Sequence, residues 1–190
     1  TTTAYSYIAN GGRQDDQGIE ALLKYKAYQS DNGFFRSVQP FANFAYSHFR
    51  YRDYVFQKLN TPATSITVVD YSDQPVAGVA PFTANMGVDL GLAQGIYANV
   101  LYGYKDAMPI SSNGLNQTTS YNLLNAKLGI RQHFCQRFNM DLFFGVNNIT
   151  GAQYPNMVFV NQLPDAYLPA PNKANYFGGL NLTYQFGSRN

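Results

Sequence analysis

The 190-residue sequence has no tryptophan, one cysteine and two histidines. The single Cys135 excludes an intrachain disulfide. Charged residues make up 13% of the chain and the formal net charge is +2, a bias too weak to indicate a nucleic-acid or acidic partner. No apolar run approaches the roughly 20 residues of a membrane-spanning helix. The sequence therefore lacks the marks of a disulfide scaffold, a nucleic-acid-binding domain and a helical membrane protein.

Aromatic residues, by contrast, are abundant. Tyrosine (16) and phenylalanine (14) account for the aromatic share of 16%. β-Strands favour such residues, and so does the boundary between a membrane and water. The mean hydropathy of −0.28 resembles that of a soluble protein. A transmembrane β-barrel also gives such an average, because polar and apolar residues alternate along its strands.

Alternation with a period of two residues is the dominant pattern. Along one segment, Phe138, Met140 and Leu142 share one parity, whereas Asn139 and Asp141 share the other. Successive side chains of a strand point to opposite faces, so each such segment has an apolar and a polar side. The pattern predicts seven strands, at 19–27, 38–46, 82–90, 96–104, 124–130, 138–146 and 176–186, and a weaker eighth at 4–8.

The connections between these segments alternate strictly between short and long. Short links are predicted at 29–36, 92–96 and 131–138. Long links are predicted at 9–17, 51–81, 107–120 and 149–173. Outer-membrane barrels have this asymmetry, with short periplasmic turns and longer extracellular loops. An antiparallel sandwich is the alternative, but it gives no reason for all long loops to lie at one end.

The composition of the two faces indicates a membrane. The polar face carries Asn, Asp, Lys, Gln and Gly, whereas the other carries Leu, Val, Ile, Phe and Ala, with Tyr near segment ends. Lipid outside, an aromatic girdle and a wet or plugged lumen account for this distribution. We therefore predict an all-β protein with about eight strands of an antiparallel transmembrane β-barrel.

Several motifs, taken in order, resemble the C-terminal barrel portion of a TonB-dependent outer-membrane receptor. A segment at 121–129 is similar to that family's penultimate hairpin, and 145–154 is similar to its strand ending in Val-x-Asn-Leu and closing with Tyr. Residues 17–20 resemble its Gly-hydrophobic-Glu strand opening, 78–85 its Val-Pro step, and 180–186 its final strand. The tail 187–190 departs from the family, which commonly stops at the terminal aromatic residue.

The resemblance implies that residues 1–190 are the last part of a barrel of about 22 strands, with the plug and the TonB-engaging segment outside them. The first residue is not Met and no signal peptide is visible, which fits such a fragment. The loops resemble those of iron-complex receptors of the Bacteroidetes type. The rival hypothesis is a complete eight-stranded barrel with a structural or adhesive role.

The same resemblance implies the activity. In this family a ligand binds loops and plug at the outer face, and TonB, driven by the proton-motive force, pulls on the plug so that the ligand enters the periplasm. The expected partners are outer-membrane lipid, the TonB complex and a ferric-siderophore-like ligand. An oligosaccharide or cobalamin is the alternative ligand. The expected location is the bacterial outer membrane with the C-terminus in the periplasm.

Catalysis, a cofactor and a bound metal are not predicted. His48 and His133 fall toward opposite ends of their strands, so they do not converge on a nucleophile. The predicted outer loops contain no His to ligate haem. Asp15 and Asp16 fit a solvated loop better than a metal site.

Two sets of candidate residues follow from these expectations. Tyr and Arg in the predicted outer loops suit aromatic or anionic siderophores through stacking and charge-assisted hydrogen bonds. The ligand-binding candidates are Arg13, Tyr51, Tyr54, Tyr71, Asn113, Tyr154, Asn161 and Tyr167. The candidates for the lumen wall or for contact with a plug are Glu20, Lys24, Lys26, Asp89, Lys105, Lys127, Arg131 and Asp141.

Overall fold

A computed structural model of the protein describes residues 12–60, 65–134, 137–162, 164 and 166–186. Its principal element is an antiparallel sheet with the strand order β1-β3-β6-β7-β8-β9-β12, in which β2 also pairs with β3. The pairs β4–β5 and β10–β11 form two separate hairpins. The strands are β1 (Arg13–Lys24), β2 (Tyr28–Gln29), β3 (Phe35–Arg52), β4 (Val55–Leu59), β5 (Ile66–Asp70), β6 (Phe82–Leu92), β7 (Ile96–Lys105), β8 (Tyr121–Phe134), β9 (Phe138–Asn147), β10 (Pro155–Val158), β11 (Tyr167–Pro169) and β12 (Asn175–Tyr184), and a 3-10 turn covers Ala93–Gly95.

The register keeps residues of one parity on one face of the sheet. Ile19 pairs with Tyr46, and Tyr46 pairs in turn with Phe82. On this apolar face Ile19, Phe144 and Leu180 are 64%, 55% and 54% exposed. So large an exposed apolar surface calls for a hydrocarbon environment. Within the described ranges, no helix has the length and apolar character to cross a bilayer.

Aromatic rings border the apolar face at both ends. Near the long connections, the rings of Phe44 and Phe82 lie 6.5 Å apart and those of Phe82 and Tyr104 lie 6.2 Å apart. Near the short turns, Phe134 and Phe138 pair at 6.0 Å. The apolar surface between two such rows matches the band that lipid covers in a transmembrane barrel.

The opposite, polar face is held together by hydrogen bonds between strands. Asn85 donates to Asn43 at 3.0 Å, and Asn99 donates to Asp89 at 2.6 Å. Aromatic rings on this face lie over glycines of neighbouring strands, because a glycine leaves the space that a Cβ would fill. Such pairs are Phe41 with Gly87, Tyr97 with Gly129, Phe143 with Gly179 and Phe177 with Gly145.

The sheet is open over the described residues, with β1 and β12 at its two edges. The seven strands predicted from alternation all occur in it, in the predicted order and with long connections at one end. The weaker strand predicted at 4–8 and Cys135 lie outside the described residues. The all-β, antiparallel fold class is therefore confirmed.

Several strand limits in the prediction are wrong. The short link predicted at 131–138 begins later, because β8 continues to Phe134 and includes His133. The connection predicted at 9–17 is strand from Arg13 onward, and the connection predicted at 51–81 begins later because Tyr51 still belongs to β3. In both places polar side chains continue the pairing beyond the apolar band. The strand predicted to reach residue 27 ends at Lys24, although Tyr25 and Ala27 still donate backbone hydrogen bonds to β3.

The two hairpins β4–β5 and β10–β11 were not predicted. They lie inside the long connections at 53–81 and 148–174. In β4–β5, Phe56 pairs with Val69 and Gln57 with Val68. Phe56, Val68 and Val69 favour strand as aromatic or β-branched residues. The apolar run in each of the two strands is too short to show alternation.

Most buried apolar side chains lie among the long connections rather than in the sheet. Buried residues there are Val76, Ala77, Ala80, Met108, Ile110, Ala166 and Ala170, together with Tyr51 at the end of β3. A packed core at this end fixes the long connections relative to one another. The candidate site is built on that core.

Candidate functional site at the long-loop end

A hydrogen-bond cluster around the buried side chains of Tyr51 and Ser112 joins three segments of the long-loop end. The Tyr51 hydroxyl lies 3.2 Å from the Ser112 hydroxyl and accepts from the backbone N–H of Ala77 at 3.2 Å. Asn161 accepts from the Ser112 N–H at 2.7 Å and donates to the Ser112 hydroxyl at 2.8 Å. The backbone N–H of Asn161 also donates to Ile110 at 2.8 Å. The connections at 53–81, 106–120 and 148–174 thus form one packed unit.

Asn148 fixes the start of the third connection. This residue is 1% exposed and has a positive φ of 53°. Its N–H donates to the Asn125 side chain at 2.9 Å, and its side chain exchanges hydrogen bonds with the backbone of Ala152 at 2.8 and 2.9 Å. Asn tolerates this left-handed conformation better than most residues. These hydrogen bonds of Asn148 anchor the chain just before the segment that lines the cavity described next.

A cavity of about 630 Å³ lies between the second and third long connections. One wall is the segment 117–119. The other is made by residues 153–155 at the start of β10, by β11 and by the residues that follow β11. Tyr154 stacks on Tyr121, the first residue of β8, with ring centroids 5.1 Å apart. Tyr121 pairs with Lys105 and has the parity of the polar face, so the cavity lies on that side of the sheet. Its lining is Gln117, Thr118, Thr119, Gln153, Tyr154, Pro155, Tyr167, Pro169, Ala170, Pro171 and Asn172.

The chemistry of this lining is neutral. Two tyrosines and three prolines supply flat apolar surface, while Gln, Asn and Thr supply amides and hydroxyls. Among the described lining residues there is no Asp, Glu, Lys, Arg or His. A cavity of this volume falls within the range of small-molecule sites, roughly 300–1,000 Å³.

Only two of the eight ligand-binding candidates line this cavity. Tyr154 and Tyr167 line the cavity. Tyr51 and Asn161 belong to the hydrogen-bond cluster around Ser112. Asn113 accepts hydrogen bonds from Ser111 at 2.6 Å and Leu115 at 3.1 Å within its own turn. A ligand role for these residues stays a prediction.

Tyr54 and Tyr71 stand at the base of the β4–β5 hairpin. The Tyr54 ring lies 4.8 Å from Tyr51 and 5.8 Å from Tyr71. Nearby, hydrogen bonds from the hydroxyl and the N–H of Ser72 hold the pKa of the Asp70 carboxyl below its ordinary value. The hairpin base therefore combines an aromatic row with an ionised carboxylate.

Arg13, the remaining ligand candidate, lies on β1 at the far edge of the sheet. Its guanidinium lies 3.9 Å from Asp15 and 3.6 Å from Asp53. The arginine therefore sits among acidic side chains, away from the cavity.

Five polar lining residues were missed by sequence reasoning, namely Gln117, Thr118, Thr119, Gln153 and Asn172. The density of Tyr and Pro between residues 154 and 171 is the signal that points to the region. The segment 117–119 carries no such signal, because it meets the cavity only through packing of distant loops.

The candidates for the lumen wall lie on or beside the polar face. Lys24 pairs with Asp89 at 3.6 Å, and Arg131 pairs with Asp141 at 3.0 Å. Lys127 lies 5.6 Å from the ring centres of both Tyr97 and Phe143. Glu20 lies in β1, Lys26 just after it, and Lys105 ends β7. Their contact with a plug stays a prediction.

The described part of the chain was also predicted to hold neither a metal centre nor a catalytic pair of histidines. No cluster of three His, Cys, Asp or Glu side chains there is suited to a metal ion. His48 lies toward the long-loop end of β3, whereas His133 lies near the short-turn end of β8. The structure thus does not bring the two histidines together.

Comparison with known proteins agrees with this architecture. A family model described as the β-barrel of TonB-dependent receptor-like proteins matches residues 1–149. The fold is similar to the crystal structure of the siderophore receptor PiuA from Acinetobacter baumannii, with a TM-score of 0.66 and 13% sequence identity. That match covers 89% of this chain and 22% of the receptor. No curated protein matches the sequence.

The chain belongs to the TonB-dependent receptor family, as part of its β-barrel domain. The resemblance seen in the sequence is therefore confirmed. Members of this family are outer-membrane receptors and transporters rather than enzymes, which confirms the predicted outer-membrane barrel and the non-enzymatic role. The chain spans about a fifth of the length of the solved receptor that it resembles.

Proposed function

We propose that this chain forms the C-terminal portion of an active-transport receptor that takes up a ferric siderophore or similar iron complex. The observation that carries this proposal is the Tyr-lined cavity of about 630 Å³ at the long-loop end. Its position beside the polar face suits a ligand that enters the barrel from that end. Tyr154 and Tyr167 supply aromatic surface for the organic part of such a complex.

The proposal orients the barrel in the membrane. The long connections face the outside, and the short turns and the C-terminus face the periplasm, as in other outer-membrane barrels. The plug and the segment that engages TonB belong to the receptor but lie outside residues 1–190. TonB supplies the energy for release of the ligand into the periplasm.

Uptake of a radiolabelled ferric siderophore tests the activity directly. Iron-starved cells with the intact receptor accumulate the label, and cells without it do not. Addition of a protonophore stops accumulation while leaving surface binding, because energy reaches the receptor through the proton-motive force. Accumulation that continues at full rate with the protonophore present would contradict the TonB-dependent step.

The size of the native polypeptide tests the domain assignment. Peptides of this sequence in the outer-membrane fraction are expected in a band several times heavier than the 21.2 kDa of these residues. A band near that mass would instead favour a small closed barrel with a structural or adhesive role.

A neutral oligosaccharide is the second candidate ligand. Amide and hydroxyl groups beside aromatic rings are the groups that pair with sugar hydroxyls and stack on sugar rings. The lining residues Gln117, Thr119, Gln153 and Asn172 favour this alternative. Uptake of labelled oligosaccharide in place of the ferric complex would select it.

A further inference from the structure

We infer that the long-loop cavity selects an uncharged ligand and discriminates against an anionic one. The inference rests on the proposed function, because it concerns the ligand of the same site. It departs from the expectation that Arg side chains of the loops recognise an anionic complex. The decisive features are the neutral lining and the location of the nearby charges.

Among the described residues that line the cavity, none carries a charge that could compensate a bound anion. Its described polar groups are amides, hydroxyls and backbone atoms, and Lys173, which follows Asn172 in the sequence, is exposed and does not line the cavity. A carboxylate or catecholate that enters such a site loses water and gains only neutral hydrogen bonds. An uncharged complex loses far less hydration on entering the same space.

The arginines of the long-loop end form hydrogen bonds and ion pairs away from the cavity. Arg52 donates to Asp15 at 2.8 Å and also pairs with Asp73. Arg50 donates to the backbone carbonyl of Asp73 at 2.8 Å. Together with Arg13, these residues lie on β1 and β3, whereas the cavity lies beside β8, β10 and β11. Strands β6 and β7 separate the two regions in the sheet.

The rings and prolines of the lining offer flat apolar surface to a ligand. Tyr154 is held by its stack on Tyr121, and Tyr167 stands in β11 beside Pro169. Rings and prolines that are fixed before binding lose little conformational freedom when a ligand arrives. The site thus combines preorganised apolar surface with neutral donors and acceptors. Such a site suits a ferric hydroxamate complex or a sugar better than a polyanion.

Equilibrium binding to the intact purified receptor in detergent tests this inference with two iron complexes of opposite character. One probe is an uncharged ferric trihydroxamate, and the other is a trianionic ferric tris-catecholate. We expect the uncharged complex to bind about tenfold or more tightly. Calorimetric titration gives both dissociation constants.

Charge placed in the cavity then tests the cause of the preference. Gln153 lines the cavity and is exposed, so Gln153→Arg adds a cation there without removing a buried group. Asn156→Arg adds the same charge on β10 outside the lining. We expect Gln153→Arg to reduce the ratio of the two dissociation constants severalfold. Asn156→Arg should leave that ratio unchanged.

The outcomes separate this inference from the proposed function. If the trianionic complex binds wild-type receptor as tightly as the uncharged one, the inference fails and the siderophore proposal stands. If neither iron complex binds but a neutral oligosaccharide does, the siderophore proposal fails and the inference stands. Binding of none of the three probes would overturn both.

Discussion

Asn161 and Ser112 hold one another through two hydrogen bonds. The backbone N–H of Ser112 donates to the Asn161 side-chain carbonyl at 2.7 Å, and the Asn161 side-chain amide donates to the Ser112 hydroxyl at 2.8 Å. The two residues belong to different long connections, so this pair couples the walls of the candidate cavity. Tyr51 extends the coupling to the end of β3 through its own contact with Ser112.

Replacement of Asn161 by Gly is expected to loosen the second long connection. Gly accepts the positive φ of 60° at this position, so the change removes the side-chain bonds without forcing the backbone. Loss of two hydrogen bonds corresponds to about 1–3 kcal/mol, which makes amide exchange by local opening faster by about fivefold to 150-fold. Hydrogen exchange of peptides from 106–120 in the purified receptor gives the measurement.

Asn156→Gly is the matched control for that change. Asn156 lies on β10, is exposed, and its side chain makes none of the hydrogen bonds of the cluster. Equal exchange rates in the two variants would show that the Asn161–Ser112 pair does not hold the connection.

Gly95→Ala is expected to destabilise the tight turn between β6 and β7. Gly95 has a φ of +73°, and a Cβ at this position would collide with the backbone carbonyl of Arg131 in β8. Gly33 has a φ of +88°, but a Cβ added there would meet no atom within 4 Å, so Gly33→Ala carries only the backbone strain. Samples of each variant are heated to a series of temperatures before electrophoresis, and the band of the folded receptor is followed. This band should disappear at a lower temperature for Gly95→Ala than for Gly33→Ala.

The sheet was predictable because its signal is local. Each strand repeats a period of two residues, and the register then brings Ile19, Tyr46 and Phe82 to the same face without further information. The alternating lengths of the connections predicted that all long loops lie at one end of the sheet. Strand ends were less predictable, since the polar residues from Arg13 to Gln17 continue β1 without an apolar face.

The candidate site was only partly predictable because it is assembled from distant segments. Tyr154 and Tyr167 were found by residue type, but Gln117 and Asn172 meet at the cavity only through packing of two connections. Residue type alone also does not show which polar groups pair within the protein. Tyr51 and Asn161 were predicted from their residue types, and the structure shows their side chains hydrogen-bonded to Ser112.

Opposite faces of β12 should respond differently to the same charge. Leu180 lies on the apolar face and is 54% exposed, whereas its neighbour Asn181 lies on the polar face. Leu180→Lys puts an ammonium into lipid and should lower the free energy of unfolding by about 2–4 kcal/mol near the middle of the bilayer. Asn181→Lys should change the free energy of unfolding little. Urea unfolding of the receptor in lipid vesicles measures both. Similar losses for the two variants would contradict the assignment of the faces.

Tyr154 is expected to bind ligand through its ring rather than its hydroxyl. Tyr154→Leu removes the aromatic surface and the stack on Tyr121, whereas Tyr154→Phe keeps the ring. A stacked pair contributes about 0.5–1.5 kcal/mol, so Tyr154→Leu should weaken binding of the uncharged ferric complex about two- to tenfold. Tyr154→Phe should bind within about twofold of wild type, since the hydroxyl is not required for stacking. Calorimetric titration of both variants separates the two contributions. If Tyr154→Phe lost as much affinity as Tyr154→Leu, the hydroxyl would be the binding group and the cavity would recognise its ligand chiefly by hydrogen bonding.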